Sequence, residues 1–321
     1  MRVYVTGGSG FIGQHLLRAL ADAGHSARAM ARSDRSAETV SALGAEPSRC
    51  DLETVSAADL EECDAVVHAA AYVEPYGPRE RFEAINIGGT QRMLDAAREA
   101  GCGRFVHVGT EAVLFCGPPL EDVDETHPYP TEHRFLYSET KAEAERRVLA
   151  ANAEGFATLS IRPRFVWGPG DTTVLPQILE AANAGAWLWM AKGRSRTSTT
   201  HVTNLIDALL IAIERGPGGE AYFVADAGTR TMREFVEALA ATRGVTLRDV
   251  SVPGWVGRGL ASGVERVWHL LRRTKQPPIT RLGAAMMSTT VTVRTDKARR
   301  LLGWEPSVSV EQGMAELAAA L

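Results

Sequence analysis

TGGSGFIG, at residues 6–13, sets the architecture of the whole chain. It directly follows a β-branched run at 2–6 and leads into a segment at 12–24 whose apolar residues recur at helical spacing. A strand, a glycine-rich turn and a helix in this order begin a βαβ unit. The chain is therefore predicted to open on a parallel sheet covered by helices.

Each glycine of this turn has its own physical role. Gly7 permits a tight strand-to-helix turn, Gly10 lets backbone amides approach a bound pyrophosphate, and Gly13 lets the helix pack close to the strand. Phe11 and Ile12 follow as an apolar pair at the start of the helix. Phosphates would sit on the positive helix N-terminus. The turn is predicted to bind a dinucleotide; the alternative is a plain connector.

The pattern of alternating strands and helices continues through the first two-thirds of the chain. Strands are predicted at 2–6, 26–31, 64–69, 104–109 and 157–162, and helices at 12–24, 81–101 and 134–154. Because crossovers between parallel strands are right-handed, this alternation predicts an α/β fold with a doubly wound parallel sheet of the Rossmann type.

The pattern changes after Pro163. Helices are expected near 203–214, 231–243, 255–273 and 309–320, among irregular loops and without a strand repeat. This part is predicted to be a smaller, mostly helical substrate lobe over the carboxyl edge of the sheet, where open α/β folds bind ligands. The expected division is a cofactor-binding domain at 1–168, to which 201–225 returns, and a substrate-binding lobe formed by 169–200 and 226–321.

Composition narrows the class of partner. The 321 residues are 45% hydrophobic and carry a formal net charge of −4, so a small molecule is favoured over nucleic acid. The cysteines are scattered and form no C-x-x-C pair, which predicts neither a metal site nor a disulfide framework: Cys50, Cys63, Cys102 and Cys116. We expect a cytoplasmic protein with no signal peptide and no membrane-spanning helix.

The end of the second predicted strand bears on the choice of dinucleotide. An acidic residue there would bind the ribose 2′-hydroxyl, whereas an arginine would accommodate a 2′-phosphate. Arg32 stands at this position and the first carboxylate is Asp34, so NADP(H) is favoured and NAD(H) is the alternative. Asp51 and Leu52, which precede the predicted strand at 64–69, could hold the adenine; Asp51 could equally serve as a helix cap.

YSETK at 137–141 carries the candidate chemistry. The spacing places Tyr137 and Lys141 on one face of a helix, one turn apart. A neighbouring ammonium favours the phenolate, so the pair predicts Tyr137 as a general acid/base tuned by Lys141, which would also hold the nicotinamide ribose. Thr110 follows the strand at 104–109, where its hydroxyl could orient a substrate oxygen.

These motifs resemble, in order and spacing, those of the extended short-chain dehydrogenase/reductases, the NAD-dependent epimerase/dehydratase superfamily. The resemblance covers essentially the whole chain and is closest to the hydroxysteroid dehydrogenase and dihydroflavonol reductase group. The matching segments are TGGSGFIG at 6–13, HAAA at 68–71, the Thr110 turn, YSETK at 137–141, RPRFVWGPGD at 162–171 and TDKARRLLGWEPSVSVEQGM at 295–314.

The resemblance also implies roles for residues outside these catalytic positions. The further cofactor contacts that it implies are Ala69, Ala70, Ala71, Asn86, Pro163 and Val166. Thr110 stands where the family usually has serine and keeps the hydroxyl. Glu111 is expected to be a solvated turn residue, because the acidic pair of the dehydratases is broken here by Ala112. Helices 81–101 and 134–154 would form a homodimer.

The leading functional prediction is an NADP(H)-dependent oxidoreductase that interconverts a secondary alcohol and a ketone on a small, largely apolar substrate of steroid, flavonoid or aryl type. The alternatives are a nucleotide-sugar epimerase or dehydratase with tightly bound NAD(P), and a non-catalytic NADP-binding regulator. Aromatic residues of the lobe could form pocket walls or ordinary core: Phe165, Trp167, Trp187, Trp189, Trp255 and Trp268.

The segment 254–275 combines apolar residues at helical spacing with five Lys/Arg and one Glu. Such a helix could cap an apolar substrate or rest on a membrane surface. A packed helix with a solvated basic face is the favoured interpretation.

Overall fold

The computed structural model describes residues 1–271, 273 and 276–320. Its strands are β1 Arg2–Thr6, β2 Ser26–Met30, β3 Glu46–Ser48, β4 Ala65–His68, β5 Arg104–Val108, β6 Leu120–Val123, β7 Ala157–Pro163, β8 Val166–Trp167, β9 Trp189–Met190, β10 Arg196–Thr197, β11 Thr200–His201, β12 Glu220–Val224, β13 Arg230–Thr231, β14 Ser251–Val252 and β15 Val291–Val293. Its helices are α1 Phe11–Asp22, α2 Asp34–Ala42, α3 Arg79–Phe82, α4 Thr90–Glu99, α5 Leu136–Ala150, α6 Val174–Asn183, α7 Val202–Glu214, α8 Met232–Ala241, α9 Gly254–Leu270, α10 Arg281–Ser288 and α11 Val310–Ala319.

Seven parallel strands form the main sheet, in the order β12-β7-β5-β4-β1-β2-β3. The order reverses beside β1, so the chain winds outward in both directions from the first strand. This confirms the predicted doubly wound parallel sheet. The carboxyl ends of β1, β4 and β5 lie side by side, which brings the glycine turn, the HAAA segment and Thr110 to one edge.

Helices bury both faces of the sheet. On one face, α1 and α7 contribute Leu16, Leu20 and Leu205 to a core that includes Val5. On the other face, Met93 of α4 and Val148 of α5 pack with Phe105. Val148 belongs to one of the two helices expected to form a dimer, yet it faces the sheet, and the homodimer stays a prediction.

All the predicted helices are present, with changed ends. The one expected at 81–101 begins at Arg79 and contains a π-helical turn, Glu83–Gly89, between α3 and α4. The one expected at 255–273 ends at Leu270, and Arg272 lies outside the described residues. Three helices were not predicted: α2, α6 and α10.

Helix α9 exposes apolar residues that were expected to be packed. Trp255 is 72% exposed and Leu270 is 83% exposed, and Leu260 and Val267 are exposed as well. The favoured interpretation of a packed helix with a solvated basic face is therefore wrong. Residues 274 and 275, at the end of the predicted segment, lie outside the described residues.

A small sheet that was not predicted from the sequence joins the lobe to β6. Its strands follow the order β13-β10-β15-β6 and are two to four residues long. Strands this short show too few alternations to produce a period-two pattern. The chain also returns to the main sheet, because β12 pairs with β7.

Asp226 joins the lobe to the main sheet just after β12. Its buried carboxylate accepts hydrogen bonds from the Trp167 indole at 2.8 Å, the Thr199 hydroxyl at 2.7 Å and the Asn204 amide at 2.8 Å. The backbone amide of His201 donates a fourth, at 2.6 Å. Segments far apart in sequence thus share one acceptor.

All four cysteines are free, and three of them are buried. Within the described part of the chain, no helix combines the length and the apolarity that crossing a bilayer requires.

Candidate active site

The glycine turn forms a backbone cradle at the end of β1. Gly7 has φ +72°, and a Cβ there would approach Ala70 N to 3.0 Å. A Cβ on Gly13 would lie 2.1 Å from the Gly7 carbonyl oxygen, so only glycine fits. Gly10 precedes α1, and among the described residues no side chain caps the first amides of that helix. These amides are available to an anion, so the turn fits a pyrophosphate.

Buried hydroxyls and a histidine fix the HAAA segment beside this cradle. The Thr6 hydroxyl lies 2.8 Å from His68 Nδ1 and accepts a hydrogen bond from Ala70 N at 3.0 Å. His68 Nε2 lies 3.0 Å from the Thr90 hydroxyl, and burial lowers the pKa of His68 to about 3. A neutral imidazole therefore holds Ala69–Ala71 against the turn.

Asn86 lies in the π-helical turn and is buried. Its Oδ1 accepts from Tyr72 N at 2.7 Å, and its Nδ2 donates to Tyr72 O and to the Thr140 hydroxyl, both at 3.1 Å. Asn86 thus joins the loop after Ala71 to α5. Its polar atoms are engaged by the protein, so the contact with the nicotinamide that was predicted for Asn86 stays a prediction.

Two arginines lie near the carboxyl ends of β2 and β3, where the sequence predicted the adenosine contacts. Arg32 is exposed just beyond β2. Asp34, the acidic alternative, lies in the first turn of α2 and pairs with Arg49 at 2.9 Å. Arg49 directly follows β3, whose last residue pairs with the last residue of β2, so this ion pair lies beside the end of β2.

Asp51 caps a turn. Its Oδ1 accepts from the backbone amides of Glu53 and Thr54 at 2.9 and 3.0 Å and from the Thr54 hydroxyl at 2.9 Å. Partial burial raises the pKa of Asp51, but these hydrogen bonds and Arg32 lower it further, leaving it below the ordinary value. The capped segment is a turn rather than the helix considered from the sequence. Leu52 is buried, and its carbonyl oxygen accepts from Arg92.

Lys141 is directed toward β5. Its buried Nζ donates to the Val108 carbonyl at 2.9 Å and to His107 Nε2 at 3.0 Å. Burial lowers the pKa of Lys141 to about 8, while Glu145 opposes that shift. Burial, with Lys141 and His68 nearby, lowers the pKa of His107 well below its ordinary value, so His107 is neutral. His107 was not predicted, because its role depends on a helix 34 residues away.

The Tyr137 phenol has its pKa shifted in the opposite direction from the one predicted. Burial, and then the Glu111 carboxylate, raise the pKa above the ordinary value of 10, and the Thr110 hydroxyl opposes them only weakly. The prediction that Lys141 lowers the pKa of the Tyr137 phenol toward neutral pH is wrong for the protein alone. The Lys141 ammonium is hydrogen-bonded to β5. The charge that affects the Tyr137 phenol is the negative Glu111 carboxylate.

Glu111 is buried, with 2% of its surface exposed, so the prediction of a solvated turn residue is wrong. It accepts a hydrogen bond from the Thr110 hydroxyl at 2.9 Å and forms an ion pair with Arg164. Arg164 is fully buried and also donates to the Thr197 hydroxyl at 3.0 Å. The pair spans 53 residues of sequence, so local spacing carried no signal for it.

A second buried ion pair fixes α5 to the sheet. Glu145 accepts from Arg162 Nε at 2.9 Å and from Arg162 Nη2 at 2.6 Å. The Ser160 and Tyr129 hydroxyls donate to the same carboxylate, each at 2.6 Å. Burial raises the pKa of Glu145, but Arg162 and these donors lower it further, so it is ionised at neutral pH.

The remaining predicted residues lie near the end of β7. Pro163 is buried at its last position, and Val166 is half-buried in β8. Trp167 and Trp189 are fully buried in the lobe core, so they are not pocket walls. Phe165 is half-buried and packs edge-on against Phe235.

Comparison with known proteins places this site in a family. Residues 4–253 match the model of the 3-beta hydroxysteroid dehydrogenase/isomerase family. The chain is 42% identical over 316 residues to the 4-hydroxy-2-methyl-3-oxo-4-farnesyl-3,4-dihydroquinoline-1-oxide ketoreductase of Stigmatella aurantiaca, covering 98% of this chain and 95% of that protein. It is 35% identical over 329 residues to the 2-alkyl-3-oxoalkanoate reductase of Stenotrophomonas maltophilia, covering 99% of each.

Solved structures share the architecture. The UDP-glucuronic acid 4-epimerase from Bacillus cereus, in complex with NAD, superposes with a TM-score of 0.77 at 18% identity, covering 100% of this chain and 98% of that one. At this identity the likeness shows the fold.

Replacing Glu145 by Gln tests the helix anchor. We expect the free energy of unfolding to fall by about 3–5 kcal/mol, because Arg162 would be left as an unpaired buried charge. The folded-state pKa of Glu145 lies below 4.5, so its ionised form stabilises the protein above that pH and the stabilisation is lost as pH falls through the folded-state pKa. Denaturant unfolding of wild type and Glu145→Gln across acidic pH measures both effects, and the variant should show the shallower dependence.

Glu143→Gln is the matched control, because Glu143 pairs with Arg147 at the surface of the same helix. Its effect should stay within about 0.5 kcal/mol. Equal losses in the two variants would contradict the anchoring role.

Proposed function

The chain belongs to the 3-beta hydroxysteroid dehydrogenase/isomerase family, and on this basis we propose that it interconverts a secondary alcohol and a ketone on a small, largely apolar substrate, using NADP(H). It is an NAD(P)-dependent oxidoreductase of the extended short-chain dehydrogenase/reductase superfamily. One observation carries the proposal: the carboxyl edge of the sheet brings the Thr110–Glu111 pair and the partly buried Tyr137 phenol together.

The surroundings of Tyr137 support an apolar substrate. Tyr137 packs against a buried cluster that includes Val113, Phe115 and Leu282 and is joined by Phe135. The names of two relatives describe oxo compounds bearing a farnesyl or an alkyl group. We therefore assign a ketone attached to an apolar chain or ring as the substrate class.

Cofactor binding is proposed for the glycine cradle and the residues around it. The α1 amides would hold the pyrophosphate, Arg32 the 2′-phosphate, and Lys141 the nicotinamide ribose. Gly7, Gly10 and Gly13 supply clearance for this approach. When bound, the nicotinamide supplies or accepts the hydride.

The protein's own residues manage the proton on the substrate oxygen. The Thr110 hydroxyl donates to Glu111, so toward the substrate it offers a lone pair and can accept from an alcohol. The donor left for a ketone oxygen is the Tyr137 phenol. Its raised pKa keeps it protonated at neutral pH, which favours its use as a general acid and hence the reduction of a ketone.

Tyr137→Phe tests the assignment directly. We expect kcat for ketone-dependent NADPH oxidation to fall about 100- to 10,000-fold, because the proton donor is removed while the ring is kept. Tyr222→Phe is the control, since its hydroxyl donates to the Pro217 carbonyl, outside the candidate site. Full activity in Tyr137→Phe would contradict the mechanism. Stabilisation by UDP or dTDP with no ketone turnover would favour the nucleotide-sugar alternative.

Glu111→Gln tests the charge beside the phenol. Removing the carboxylate lowers the pKa of Tyr137, so the alkaline limb of kcat/KM for ketone reduction should move to lower pH. Because Arg164 would then lack its counter-ion, the double variant Glu111→Gln/Arg164→Met removes both buried charges and should show the same direction of shift. An unchanged pH profile in a folded variant would overturn the assigned influence of Glu111.

Arg32→Ala tests the preference for NADP(H). Loss of a charged contact to the 2′-phosphate should raise KM for NADPH about 10- to 100-fold and leave KM for NADH nearly unchanged. Arg294→Ala is the matched control, because this exposed arginine pairs with Asp296. Equal changes for both cofactors would argue against a 2′-phosphate site at Arg32.

A further inference from the structure

A buried histidine of β5, His107, holds the Lys141 side chain against the sheet. Both residues are buried, and Lys141 Nζ lies 3.0 Å from His107 Nε2 and 2.9 Å from the Val108 carbonyl oxygen. An ammonium group has three N–H donors and no acceptor. Two of these donors are directed to β5, and the third finds no acceptor among the described residues.

The second acceptor fixes the direction of the remaining donor. With the Val108 carbonyl alone, the ammonium could rotate about that single hydrogen bond at the end of a flexible four-carbon stem. Because the ammonium is tetrahedral, occupying two of its N–H bonds leaves one direction for the third. His107 therefore determines where Lys141 can donate to a ligand.

The His107 ring makes this contact at a cost. Nε2 can accept from Lys141 only when the ring proton is on Nδ1, and Nδ1 is buried with no partner in the described part of the chain. A buried N–H without an acceptor is unfavourable, and an apolar ring in the same strand would not carry that cost. The hydrogen bond from Lys141 is the contact of His107 that offsets it.

A second buried histidine stands beside His107 on β4 but has other partners. The rings of His68 and His107 lie 5.5 Å apart, on paired positions of neighbouring strands. Both ring nitrogens of His68 are within hydrogen-bond distance of hydroxyls, those of Thr6 and Thr90. The two histidines therefore act on different parts of the site, His68 on the HAAA segment and His107 on the Lys141 ammonium.

We propose that His107 is a positioning residue that directs the third N–H of Lys141 toward the nicotinamide ribose. This inference rests on the proposed cofactor site, in which Lys141 binds that ribose. His107 acts through Lys141, so the nicotinamide half of the cofactor depends on it and the adenosine half does not.

Cofactor titrations without any ketone test the proposal. His107→Phe keeps a ring but removes the acceptor, so the Kd for NADPH should rise about tenfold. The Kd for adenosine 2′,5′-bisphosphate, which lacks the nicotinamide ribose, should stay within about twofold of the wild type. If NADH binds more tightly than NADPH, NADH and ADP provide the same comparison.

Two further substitutions separate positioning from packing. His107→Gln should restore the Kd for NADPH to within about threefold of the wild type, because its side-chain oxygen can accept from Lys141 Nζ. His107→Asn has a shorter side chain that does not reach Nζ, so it should lose affinity as His107→Phe does. It also supplies the measurement if the Phe variant does not fold.

Thr158→Val is the matched control for loss of a buried hydrogen bond between the sheet and α5. The Thr158 hydroxyl donates to the Val148 carbonyl, and its loss should leave the Kd for NADPH within about twofold. A double-mutant cycle tests the route: in a Lys141→Met background, His107→Phe should have no further effect on that Kd.

Four results would overturn the proposal. They are equal losses for NADPH and the ribose-free fragment, a Gln variant as weak as the Phe and Asn variants, a further tenfold loss in the Lys141→Met background, and a wild type that binds neither NADPH nor NADH. Circular dichroism of each variant verifies folding. Absence of ketone turnover in a wild type that shows the expected binding differences would contradict the proposed reaction alone.

Discussion

The buried ion pair between Glu145 and Arg162 is the constraint on which the candidate site depends. Tyr137, Lys141 and Glu145 recur every four residues along α5, so they share one helix face. Because Glu145 is held by β7, the phenol and the ammonium are positioned relative to the sheet edge rather than by a flexible surface helix. A buried pair of this kind adds little net stability, but it defines one position for the helix.

The RPR run at 162–164 supplies two buried arginines beside the candidate site. Arg162 lies in β7, and Arg164 directly follows the last residue of that strand, Pro163. One holds α5 through Glu145, and the other holds the turn after β5 through Glu111. The α5 helix that carries Tyr137 and the turn that carries Thr110 are thus both held by one short segment at the end of β7.

Much of the fold could be predicted because its signals are local. The five predicted strands and the glycine turn follow from β-branched runs and from steric needs visible within ten residues. The sequence did not predict the roles of Glu111, His107 and Glu145, because these roles arise from partners 17 to 53 residues away. The direction of the Tyr137 pKa shift was missed for the same reason: spacing revealed Lys141 but not the closer influence of Glu111. The exposure of α9 depends on how the helix packs in the folded chain, which helical periodicity alone does not predict.

The position of β12 has a consequence for how the protein is made. This strand completes the sheet at its outer edge beside β7, yet it follows β7 by more than 50 residues, after the first segment of the lobe, 169–200, has been synthesised. The Asp226 junction and the contact between Asn204 and Val308 add partners that emerge from the ribosome later still. The nascent chain therefore holds an unfinished sheet edge until its C-terminal part is available, so the two parts mature together and neither is a separable folding unit.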